Sequence, residues 1–99
     1  MTNEFEPSET DMDLDVLMAR ELTRQYGPLL SGDRLRVVLG YSTKEAYRQA
    51  MARKTLPVLV FEIENRRGKF ALTIDVARWL VQERTKAAQK SETEKGAVP

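Results

Sequence analysis

LGYSTKEAYRQAMARKTLP, residues 39–57, is the stretch whose reading decides the fold. Gly40 is a helix stop, and Ser42 followed three residues later by Glu45 fits a capping box, in which each side chain satisfies a backbone N–H near the other. Pro57 forbids continuation of that helix, because it has no N–H and its ring clashes with the preceding turn. A helix over residues 43–53 is predicted to carry Thr43, Lys44, Tyr47 and Arg48 on or near one outward face. Ala46 and Ala50 would give it a small-residue inner side. The functional question is whether that outward face meets only water or lies against something negatively charged.

Upstream, LLSGDRLRVVLG (29–40) reads as a helix of about two turns. Ser31 is its candidate cap, Asp33 favours the first turn, and Leu30 with Leu35 forms a hydrophobic staple. Leu35, Val38 and Leu39 face inward. Two helices joined by a tight glycine-containing turn make a helix-turn-helix. Before them, Leu14, Leu17, Met18, Leu22 and Tyr26 recur at spacings of three and four, one helical stripe over 12–26, with Asp13 and Asp15 suited to its positive end. Gly27 and Pro28 stop it.

Downstream the period switches to two. LPVLVFEIE (56–64), NRRG (65–68) and KFALT (69–73) read as strand, turn and returning strand, with Arg66 and Arg67 at the tip and Lys69 just beyond. Thr73 and Asp75 then open a last helix whose buried side is Val76, Trp79, Leu80 and Val81. The predicted class is mainly α with a small β-hairpin, a winged helix-turn-helix with an extra N-terminal helix. Residues 1–11 are expected to be a disordered acidic leader, 12–89 the domain, and 90–99 a flexible tail.

The chain has 99 residues, 41% of them hydrophobic, which suits one small domain. It has no cysteine and no histidine, and so lacks the commonest metal ligand, general base and thiol nucleophile. There is no P-loop and no GxGxxG. No enzyme activity, cofactor or metal is expected. Nothing approaches a membrane span, and the acidic N-terminus lacks the layout of a signal peptide, so a cytoplasmic protein is expected.

The net charge of +1 conceals an asymmetry. Residues 1–30 hold seven acids against two bases, a balance of −5, whereas residues 31–90 hold thirteen bases against six acids, a balance of +7. A basic middle behind an acidic leader points to a nucleic-acid or other polyanionic partner, although an ordinary solvated surface also accommodates it.

Gly40-Tyr41-Ser42, Tyr47-Arg48, Leu56-Pro57 and the run from Asp75 to Leu80, in that order, resemble the small excisionase and phage-regulator group of winged-helix proteins. These are relatives of the MerR-type DNA-binding domain, and a prophage bacteriocin-activator family has a similar layout. The resemblance covers roughly residues 28–85. The chain departs from the pattern in the link after the second helix of the motif, which has no glycine and is about one residue longer. The resemblance implies sequence-specific binding of double-stranded DNA, often by several copies side by side, in excision or transcription control. A site-specific recombinase or RNA polymerase would then be a partner.

The candidate DNA-binding residues are Ser42, Thr43, Lys44, Tyr47 and Arg48 on the recognition helix, and Arg66, Arg67 and Lys69 on the wing. Each has a second reading: Tyr47 equally suits the core, Lys44 and Arg48 a solvated face, and Arg66 and Arg67 a charged tip that discourages edge aggregation. Arg34, Arg36, Arg53 and Lys54 are assigned to general electrostatics. The alternative function is a protein-interaction adaptor that uses the same scaffold and the leading helix.

Overall fold

A computed structural model of the chain describes the backbone of residues 8–97 and the side chains of residues 14–90. The described residues form helix α1 (Ser8–Tyr26), strand β1 (Leu29–Ser31), helix α2 (Gly32–Val38), helix α3 (Lys44–Arg53), strand β2 (Phe70–Leu72) and helix α4 (Thr73–Ala97). The architecture is mainly helical with a small two-stranded antiparallel sheet, compatible with a helix-turn-helix-like fold.

The core lies where α2, α3, the sheet and the start of α4 meet. Leu30, Leu35, Leu39, Tyr47, Ala71 and Val76 are its buried members, and Val38, Trp79 and Leu80 pack half-buried against it. Leu30 and Leu35 share this cluster, as the staple requires. Burying side chains of this size contributes about 1.5–3 kcal/mol each. Helix α1 packs chiefly on α4. The end of α1 is tied to the start of α4: the Thr73 N–H donates to the Pro28 carbonyl at 2.9 Å and Thr73 Oγ1 donates to the Gly27 carbonyl at 2.6 Å.

Strand β1 was not legible in the sequence. It pairs with β2 in the register Leu29 with Leu72, Leu30 with Ala71 and Ser31 with Phe70. Ser31 does stand at the cap position of α2, with φ −157° and ψ 169°, but its side chain makes no capping hydrogen bond. The expected incoming strand, 56–64, shrinks to one bridge in which Phe61 and Phe70 exchange two 2.8 Å backbone hydrogen bonds. Burial there still alternates, with Leu56, Val58 and Val60 half-buried and Pro57 and Leu59 exposed, so the side chains keep a strand's period without its ladder.

The ends also differ from expectation. Helix α1 begins at Ser8, so residues 8–11 of the expected leader are helical; residues 1–7 lie outside the described residues. Glu9 and Asp11 are residue types that favour a helix's positive end, and that earlier start puts Asp15 two turns in rather than at the cap. Helix α4 runs through the expected tail to Ala97, because Glu92, Glu94 and Lys95 are good helix formers and no proline intervenes until Pro99.

Candidate nucleic-acid interface

Helices α2 and α3 are joined by a turn with two fixed points. Gly40 adopts φ +94°, a left-handed conformation that glycine reaches without a Cβ penalty. Its N–H donates to the Val37 carbonyl and the Tyr41 N–H to the Arg36 carbonyl, the paired bonds of a Schellman ending. Arg36 then reaches across the turn. Its Nη1 donates to the Tyr41 carbonyl at 2.7 Å, while Nε approaches Asp33 Oδ1 at 3.5 Å without forming a hydrogen bond. Arg36 is therefore a clamp on the turn rather than a free surface charge.

The cap of α3 is Thr43, not the Ser42 of the expected capping box. Thr43 has φ −127° and ψ 154°, and its Oγ1 accepts the Ala46 N–H at 3.0 Å. With the cap one residue later, Glu45 sits too early to complete the box, and Gln49 Nε2 donates to it at 3.4 Å instead.

Burial shows which way α3 faces. Tyr47 and Ala50 are the buried positions, and Ala46 is exposed. Tyr47 is 9% exposed, its ring lies 5.8 Å from that of Tyr41, and its hydroxyl is enclosed without a hydrogen-bond partner. Burial first, and the neighbouring Tyr41 second, push its phenol above the ordinary 10.0. Tyr47 thus belongs to the core and leaves the candidate contact face. The physical reason is the helical period: an inner row of Tyr47, Ala50 and Met51 fills the space against α2 that alanines alone would leave empty.

The exposed side of α3 carries Lys44, Glu45, Arg48, Gln49, Ala52 and Arg53, in rows four residues apart. Lys44, Arg48 and Arg53 make no ion pair among the described residues. Ser42 and Thr43 are exposed at the same helix's start. Gln49 and Arg53 share this face and were not among the expected contacts; the four-residue steps from Glu45 to Gln49 to Arg53 were the available signal.

Helix α3 ends on Lys54, at φ +60° and ψ +41°. The Lys54 N–H donates to Met51 and the Thr55 N–H to Ala50, the same Schellman ending that Gly40 makes for α2. Here a lysine stands where a glycine is usual. Lys54 and Lys69 line one groove with Met51, Leu56 and Val60, so the end of α3 adjoins the base of the 55–69 connection.

In that connection Arg66 and Arg67 are exposed and make no ion pair among the described residues. The turn is closed by the Arg66 N–H donating to the Ile63 carbonyl at 2.9 Å, with Asn65 at φ +64°. Lys69 is not free: its Nζ is paired with Glu62 across the base of the connection, and that hydrogen bond, with the lysine's charge, holds the Glu62 carboxyl below its ordinary 4.5. Lys69 therefore braces the connection.

Of the eight expected site residues, Ser42, Thr43, Lys44 and Arg48 come together at α3, Arg66 and Arg67 stand on the connection, Lys69 is ion-paired and Tyr47 is turned inward. Among the described residues no cluster of potential ligands is placed to hold a metal ion, and no helix is long and apolar enough to cross a membrane. Comparison with known proteins finds no matching family, no matching curated protein and no matching solved structure.

Proposed function

We propose that this chain is a sequence-specific double-stranded DNA-binding protein of the winged helix-turn-helix type, rather than an enzyme, and that it serves a mobile element as an excisionase or transcriptional regulator. Helix α3 enters the major groove, with Ser42, Thr43, Lys44 and Arg48 near base edges and phosphates. The 55–69 connection is the wing, with Arg66 and Arg67 on the backbone or in the adjacent minor groove. The protein acts in the cytoplasm, beside a recombinase or RNA polymerase.

The observation that carries this reading is the exposed, unpaired row Lys44–Arg48 on a helix whose far end adjoins the arginine-bearing connection. Unpaired cations on a rigid helix cost nothing to leave in water, and they gain by releasing counterions from a polyanion. The charge count agrees: residues 41–54 hold four bases against Glu45 alone.

Footprinting on the DNA that flanks the protein's own gene tests the reading. Protected direct repeats beside a recombination site are the outcome for an excisionase, and protection over a promoter alone is the outcome for a transcriptional regulator. No protection at any concentration that saturates nonspecific DNA contradicts the proposal.

A further inference from the structure

A second feature lies away from α3. Helix α1 and the beginning of α4 enclose a groove of about 290 Å³ lined by Asp15, Val16 and Ala19 on one wall and Ile74 and Arg78 on the other. Val16 is 48% exposed and Ile74 is 45% exposed, large apolar side chains left facing water across a small floor at Ala19. The groove's two charged residues stand on opposite walls, Asp15 on α1 and Arg78 on α4. Asp15 Oδ1 is enclosed without a hydrogen-bond partner. Arg78 makes no ion pair among the described residues, although Asp75 stands one turn before it. An uncovered apolar pair favours a partner that removes it from water.

The charges select the occupant. A nucleic acid or an acidic peptide would satisfy Arg78 and repel Asp15, and a basic partner would do the reverse. A surface with one acid on one wall and one base on the other is its own complement under a two-fold rotation. We infer that two copies of this chain associate through this groove, Val16 and Ile74 of each copy covering the other's and Asp15 of one pairing with Arg78 of the other, twice. The contact uses no residue of the α3 face, so it stands or falls independently of DNA binding.

Sedimentation velocity of the full chain without DNA, across a concentration series, tests it. The wild type forms a concentration-dependent dimer. Asp15→Arg alone and Arg78→Asp alone each place like charges across both pairs and weaken association about tenfold or more, the scale of losing a close interfacial charge pair. An equimolar mixture of the two variants regains wild-type association, because the two basic positions of one variant then face the two acidic positions of the other. A pairing within one copy could not be rescued by mixing. A wild type that stays monomeric, single variants that associate as the wild type does, or a mixture that regains nothing would each overturn the inference. Circular dichroism confirms that the variants fold. If either charge reversal unfolds the chain, Val16→Glu, a change at a half-exposed site, must abolish dimerisation, and a folded Val16→Glu protein that still dimerises also overturns it.

Discussion

Thr73 Oγ1 donates a 2.6 Å hydrogen bond to the carbonyl of Gly27, across 46 positions of sequence, and the Thr73 side chain that does so is fully buried. This bond fixes where α1 ends relative to where α4 begins. Thr73→Val keeps the volume but leaves the Gly27 carbonyl short of its donor. It should cost about 1–3 kcal/mol by urea denaturation, with Thr73→Ser recovering most of the loss. An unchanged midpoint would show that the bond contributes nothing.

Tyr47 gives a prediction of opposite sign. Its buried hydroxyl has no partner, so Tyr47→Phe should be neutral or stabilising, and duplex affinity should hold, because the residue does not face outward. Tyr47→Ala should cost about 3–5 kcal/mol through the cavity it leaves. A large loss of DNA affinity in a stably folded Tyr47→Phe protein would return this hydroxyl to the interface.

Lys54 holds a left-handed conformation that costs a side-chain-bearing residue roughly 1–2 kcal/mol. Lys54→Gly should therefore raise thermal stability by about 1 kcal/mol. Destabilisation would mean that the lysine's stem, packed along the groove it shares with Lys69, outweighs the strain.

The Glu62–Lys69 pair sets a pH dependence at the base of the connection. The carboxyl titrates below its ordinary 4.5 when folded, so the stabilisation is fully present above that value and is lost as pH falls through the depressed folded value. Carboxyl-carbon NMR should find Glu62 titrating below the ordinary range, and Lys69→Met should move its midpoint back up to it. A Glu62 midpoint unaffected by Lys69→Met would show that the pair does not hold the carboxyl down.

Much of the fold was written locally. Gly40 marked the end of α2, Leu35 and Leu39 marked its buried side, and Val76 and Val81 marked that of α4. These signals work because a helix's period and stop depend on neighbouring residues alone. The strand Leu29–Ser31 was invisible because three residues carry no period, and its partner lies some forty positions away at Phe70–Leu72. The β-branched run 56–64 overstated its strand for the complementary reason: composition reports preference for extended backbone, while pairing depends on what stands alongside, and only Phe61 has a partner. At the candidate site, adjacent Ser42 and Thr43 both qualify as caps. Reading the small residues Ala46 and Ala50 as the inner row placed Tyr47 outward, whereas the larger Tyr47 ring fills the core beside Ala50.

The central claim is that Lys44, Arg48, Arg66 and Arg67 meet one duplex together. The direct measurement is duplex affinity against salt concentration for the wild type and for a variant with all four neutralised. With each contact adding about 0.9 to the logarithmic slope, the wild type should be steeper than the variant by roughly 3 to 4. Arg48→Ala alone should also relax base preference at a cost of about 1–3 kcal/mol. Equal slopes in the two proteins, or no duplex binding by the wild type, would contradict it.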